Sequence, residues 1–154
     1  MSNDEDNFRR LLTELRLLEG TAEALQNRIN LINAATTELA FAAATIDGLA
    51  EEKKGAPLLV PIGGGSFIKA EVATTETLVV GMGAGVSADK SRDDAKKVVE
   101  KRVAELEKSM TALQDQLGQV LERIRLNRQQ LEDVSQKLST QRRANDVRKA
   151  KGGP

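Results

Sequence analysis

Residues 58–90 read LLVPIGGGSFIKAEVATTETLVVGMGAGVSADK, and this stretch decides the fold. Leu58-Leu59-Val60 has the β-branched and aliphatic character of a strand, and Pro61 confines it to an edge or strand end. Gly63-Gly64-Gly65 supplies the positive-φ residues of a tight turn. In Ser66–Val72 the charged Lys69 and Glu71 alternate with apolar residues, which predicts a strand with one wet face. Ala73–Glu76 connects to a third strand, Thr77–Val80. Gly81-Met82-Gly83-Ala84-Gly85 forms a second glycine turn, and Val86-Ser87-Ala88 a short fourth strand. Two β-hairpins are the economical reading. Four short strands with open edges are not stable alone, so the segment is expected to pair with other strands.

On either side the period changes from two to three and a half. With Phe8 at heptad position a, the a series runs Phe8, Leu15, Ala22, Ile29, Thr36, Ala43, Ala50. The d series runs Leu11, Leu18, Leu25, Ile32, Leu39, Ile46 and is apolar throughout. The second arm has d at Val99, Leu106, Leu113, Val120, Asn127, Val134 and a at Val103, Met110, Leu117, Ile124, Leu131, Leu138. Each arm carries a coiled-coil seam. The first helix is predicted to end near Lys54-Gly55, because Gly55 accepts a left-handed C-terminal conformation and Pro57 cannot continue a helix. The second starts after Ser91, whose hydroxyl caps a first turn holding Asp93 and Asp94.

The hairpins return the chain, so the helices pack antiparallel. One register satisfies both series by placing Ile46 against Val103, Leu25 against Ile124, Leu18 against Leu131 and Asn127 against Ala22; a slip by one heptad competes with it. The predicted class is α+β: a long antiparallel two-helix coiled coil with two β-hairpins at the helix–helix connection. Its parts are an N-terminal helix at 1–55, hairpins at 56–90, a C-terminal helix at 91–147 and a flexible basic tail at 148–154. In that tail region Arg142, Arg143, Arg148, Lys149 and Lys151 oppose Asp146, favourable at a helix C-terminus.

Composition removes whole classes of function. The chain has 154 residues, no cysteine and no histidine, so thiolate nucleophiles, imidazole bases and the usual zinc ligand sets are missing. No catalytic residues, cofactor or metal site is expected. Lys+Arg 23 balances Asp+Glu 23, which creates no overall field for nucleic acid or an anionic membrane. The uncharged run near the end of the first helix is too short to span a bilayer, and the acidic start Asp4-Glu5-Asp6 is unlike a signal peptide. Cytoplasmic location is the expectation. Lys90-Ser91 mimics the end of a phosphate-binding loop, but Asp89 stands where glycine is required, and Gly81-x-Gly83-x-Gly85 lacks dinucleotide spacing.

The run Leu59-Val60-Pro61-Ile62-Gly63-Gly64-Gly65-Ser66-Phe67-Ile68-Lys69-Ala70, followed by Val79-Val80-Gly81-Met82-Gly83-Ala84-Gly85-Val86-Ser87, resembles the alpha-type subunit of archaeal prefoldin. The helix–hairpins–helix layout extends the resemblance over nearly the whole chain, and two hairpins rather than one favour alpha over beta. The resemblance implies a molecular chaperone subunit that holds unfolded proteins without ATP and delivers them to a group II chaperonin. It also implies a hexamer with beta-type subunits, two alpha and four beta, whose hairpins join in an intersubunit β-barrel. Subunit assembly is then expected at Leu58, Val60, Ile62, Phe67, Ile68, Val72, Leu78, Val79, Val80 and Val86. Client binding is expected at the helix tips, from Phe8, Leu11, Leu12, Leu15, Leu17, Leu18, Leu131, Val134 and Leu138, with Leu12 and Leu17 lying off the seam. The other reading is a tethering coiled-coil oligomer that binds one dedicated partner protein; it would ignore unrelated unfolded proteins.

Overall fold

The structure, a computed structural model, describes residues 3–151. In chain order these form α1 (Asn3–Leu49), β1 (Pro57–Gly63), β2 (Ser66–Glu71), β3 (Thr77–Gly83), β4 (Val86–Ser91) and α2 (Arg92–Lys151). Two compact units are distinguished. Of the described residues, a terminal unit contains 3–31 and 110–151, and a hairpin unit contains 32–109.

In the hairpin unit, β1 pairs with β2 and β3 with β4, each pair antiparallel and each its own two-stranded sheet. The hairpins repeat with an offset of 20 residues. Val60 faces Ile68 in the first and Val80 faces Ala88 in the second, while Ile62 and Met82 each occupy the register shift before the turn. The turn residues are left-handed, Gly64 and Gly65 in one hairpin (φ 59° and 73°), Ala84 and Gly85 in the other (φ 50° and 75°). Successive positive φ values match the twist of a two-residue hairpin turn. The strands are longer than expected: β1 passes through Pro61, and β4 continues to Ser91, where the Ser91 hydroxyl accepts from the Asp94 amide at 3.1 Å and caps α2.

The core of this unit is Ile46, Ala95 and Val99, with Leu39, Ala42, Ala43, Leu78 and Val80 packed around them. Ala95 is 0% exposed, so the two helices approach where a side chain is a single methyl. Length and composition alone give α1 a window apolar enough to cross a bilayer, contrary to the expectation from its uncharged run. Its Leu39, Ala42, Ala43 and Ile46 nevertheless lie against α2 and the second hairpin, as a seam requires.

Helix α1 stops at Leu49, five residues short of the expected Lys54. Ala50, Glu51 and Glu52 instead donate three residues back, to Asp47, Gly48 and Leu49, which tightens the last turn. Gly55 is left-handed as expected (φ 86°), but its amide donates to Val72 at 2.7 Å and so closes the first hairpin. The early stop brings Ile46 level with Ala95 and Val99 rather than with Val103.

In the terminal unit, Leu11, Leu131 and Val134 form a buried cluster, and Phe8, Leu12, Leu15 and Leu138 pack onto it. Leu131 therefore meets Leu11 rather than Leu18. The observed register is the competing one, slipped by one heptad. Glu14–Arg123 (3.4 Å) and Glu19–Arg128 (2.8 Å) pair across the helices in the same unit, and Gln141 donates to Asp4 at 2.9 Å. Arg148, Lys149 and Ala150, expected in a flexible tail, are helical; Gly152, Gly153 and Pro154 lie outside the described residues.

Candidate functional site: an open hairpin surface and an apolar helix end

Two surfaces carry much of the exposed apolar area among the described residues, and Phe41 of α1, 77% exposed, lies outside both. The first is on the hairpins. Leu58, Val60, Ile62, Phe67 and Ile68 are exposed, as are Val79 and Val86, with Val79 73% exposed. Alternation explains the pattern, since every strand presents two faces and a lone two-stranded sheet can bury at most one. The second hairpin buries the face holding Leu78 and Val80 on the helices, whereas the matching face of the first, with Leu58 and Val60, stays open. Leu78 and Val80, expected in an assembly surface, are thus occupied by the chain's own core. Val72 is half-buried, its amide donating to Ala56 at 2.9 Å.

Two arginines of α2 fasten the second hairpin, a feature invisible to periodicity. Arg92 donates through Nη1 to the Thr75 carbonyl at 3.1 Å, and its backbone amide donates to Glu76 at 2.8 Å. One helical stretch further on, Arg102 donates through Nη2 to the Gly81 carbonyl. At the junction with α1, Lys96 donates to Asp47 at 2.6 Å. That hydrogen bond, then the Asp47 charge and the weaker fields of Glu100 and Asp93, hold the Lys96 ammonium above the ordinary lysine pKa.

The second surface is in the terminal unit. A groove of about 480 Å³ is lined by Phe8, Leu138, Ser135 and Ser139, with Glu5, Arg9 and Arg142 at its rim. Of the residues expected to grip clients, Leu11, Leu18, Leu131 and Val134 are buried in the seam. Phe8, Leu12, Leu15 and Leu138 are half-buried against it. Leu17 alone stands out, 69% exposed. Leu12 was expected off the seam; it is drawn in because a helix packs a stripe wider than its a and d positions alone. Sequence reasoning missed Leu31, exposed on the same α1 face two heptads after Leu17, and also Leu121, Leu126 and Val147. The fourteen-residue spacing from Leu17 to Leu31 was the available signal.

Asn127 is a buried polar group of the terminal unit: it sits on the α2 seam at 4% exposure, and among the described residues its Oδ1 has no hydrogen-bond partner. Nearby on the same helix, Arg125 hydrogen-bonds Glu122 at 2.7 Å, which lowers the Glu122 pKa and raises that of Arg125.

Comparison with known proteins agrees with this geometry. The model of the prefoldin subunit family matches residues 18–137. The chain belongs to the prefoldin family, as an alpha-type subunit. It is 30% identical to prefoldin subunit alpha of Methanobrevibacter smithii, over 89% of this chain and 86% of that one. It is 31% identical to prefoldin subunit alpha of Methanosarcina barkeri, over 87% and 92%. The putative prefoldin subunit alpha of Aquifex aeolicus is 32% identical, over 78% and 80%. In fold it resembles filamentous prefoldin from Methanocaldococcus jannaschii, solved by cryo-electron microscopy, with a TM-score of 0.65 at 24% identity over 73% of this chain and 94% of that one. As a prefoldin subunit it is a chaperone component and not an enzyme.

Proposed function

We propose that this prefoldin subunit assembles through its hairpins with beta-type subunits, two alpha and four beta, in the cytoplasm. The complex holds unfolded proteins at its helix ends without ATP and passes them to a group II chaperonin. The observation that carries the holding role is the Phe8–Leu138 groove with Leu17 exposed on the same unit. It is a shallow apolar surface with charged edges and no chemistry of its own. Fully burying one Leu or Phe contributes roughly 1.5–3 kcal/mol, so partial burial of several client side chains gives a reversible grip. Multiplied over several helix ends, weak contacts become effective holding.

The test is aggregation suppression by the complex with a beta-type subunit, against several unrelated unfolded proteins, with and without ATP. Equal protection in both conditions is expected, and transfer of a labelled client to a group II chaperonin should follow. Protection of a single protein only would replace the holdase with a dedicated tether.

A further inference from the structure

Where α1 begins, the seam of α2 changes character. Gln141 donates to Asp4 at 2.9 Å, which sets it level with the first turn of α1. From there α2 runs on to Lys151, past the first described residue of α1. The heptad continues in this overhang. Position d, held by Val134, passes to Gln141 and Arg148, and position a, held by Leu138, passes to Asn145. The adjoining e positions hold Arg142 and Lys149. The helix face that is apolar at Leu131, Val134 and Leu138 is therefore polar and cationic beyond them, and gives no seam to a further helix.

The helix dipole does not account for the whole stripe. It favours cations within the last turn, and Arg142 lies about two and a half turns before Lys151. Nor are the charges spent on carboxylates of the same chain. Arg142, Arg148 and Lys149 are exposed, and none of them is in an ion pair among the described residues. The Phe8–Leu138 groove opens onto this stripe, since Arg142 is part of its rim.

We propose that groove and stripe form one client subsite, which selects unfolded segments whose apolar residues are flanked by acidic ones. This rests on the reading that helix ends hold clients, and it names the class of segment held at this one. Apolar client side chains enter the groove, and aspartates or glutamates beside them lie along Arg142, Arg148 and Lys149. Charge complementarity selects the acidic partner. A nucleic acid strand fits less well. The chain has no aromatic residue after Leu138 on which bases could stack, and Asp4, Glu5 and Asp6 in the first turn of α1 repel an unbroken line of phosphates.

Asn145 lies on the stripe and the chain has no cysteine, so Asn145→Cys gives this chain a single thiol there. In the complex with a beta-type subunit, that thiol is offered unstructured peptides, each with an activated disulfide at one end. The first carries an apolar stretch and then glutamates next to the disulfide. The second has lysines in place of the glutamates, and the third has serines in place of the apolar residues. Capture of the first by this chain should be roughly tenfold faster than capture of either other, the combined effect of several exposed ion pairs and a partly filled groove. About 1 M salt should remove its advantage over the second. Arg142→Glu with Lys149→Glu should reverse the order of those two, at unchanged helical signal and complex mass, since both side chains are exposed. Equal capture of the first and second peptides would overturn the acidic selection. Equal capture of the first and third would overturn the composite subsite and leave a patch for any polyanion. In either case, suppression of aggregation by the same complex leaves holding at helix ends standing. A complex that suppresses no aggregation removes the holding reading, and this inference with it.

Discussion

Lys96 at the start of α2 donates to Asp47 near the end of α1 at 2.6 Å, and this bond joins the helices where the hairpins leave them. It lies beside the Ile46–Ala95–Val99 core and holds the slipped register at its root. The Lys96 pKa is raised in the folded chain, so its contribution is complete below the ordinary value of 10.5 and disappears as pH climbs through the raised one. Lys96→Met should therefore lower Tm by a small, salt-screened amount that is constant from about pH 6 to pH 9. The difference from the unaltered chain should shrink only in more alkaline solution. Melting curves across that range check the sign.

Ala84 is the one described non-glycine residue at positive φ, at the position where the first hairpin has Gly64. A left-handed alanine costs about 1–2 kcal/mol relative to glycine, less the added freedom glycine has when unfolded. Ala84→Gly should stabilise the second hairpin by about 1 kcal/mol. Slower amide exchange at Val80 and Ala88, which bond across that hairpin, would show it; unchanged exchange would mean that the Arg92 and Arg102 clamps already set its stability.

Much of this was written in the sequence because the relevant forces are local. Gly63–Gly65 and Gly83–Gly85 dictate turns by their backbone freedom, and Ser91 with Asp93 and Asp94 caps a helix within one turn. Helix register was not legible. Both heptad series tolerate a slip, and the choice is made by the early stop at Leu49 and the burial of Ala95, which occupies neither an a nor a d position. Nor could the sequence separate Leu12 from Leu17. Whether a flanking leucine folds onto the seam depends on the neighbouring helix, which in the terminal unit presents Leu131 and Val134 to one of them alone.

Asn127 tests how much a seam position can lose. Its buried, unpartnered Oδ1 forfeits its hydration without a replacement, a loss of about 1–3 kcal/mol. Asn127→Leu should raise helix-pair stability by about 1–2 kcal/mol in urea unfolding followed by helical circular dichroism. A loss of stability would show instead that leucine does not fit the space between the helices.

Val79 and Val60 separate folding from assembly. Both are exposed in the single chain, Val79 at 73%, so lysine there creates no buried charge in the monomer. In an assembled hairpin platform the same charge would be stripped of water. Val60→Lys and Val79→Lys should leave the helical signal intact and lower the mass of the complex. An unchanged mass for both would remove these faces from the subunit interface.

Leu17 gives the most direct test of client holding. At 69% exposure it contributes little to the fold, while Leu12, one turn back, packs on the Leu11–Leu131–Val134 cluster. The two leucines should therefore respond differently to the same change. Leu12→Ser should destabilise the terminal unit by about 1–2 kcal/mol, because a hydroxyl replaces partly buried methyl groups. Leu17→Ser should leave Tm within experimental error. If helix ends grip unfolded proteins, Leu17→Ser should nevertheless weaken aggregation suppression, by roughly threefold to tenfold per site for about 1 kcal/mol of lost contact. The assay uses the complex with a beta-type subunit at limiting concentration, where several helix ends cannot compensate for one another. Reduced protection at unchanged Tm and complex mass assigns Leu17 to the client surface. Full protection by Leu17→Ser would exclude that face of α1 and leave the Phe8–Leu138 groove as the part of this unit that holds a client.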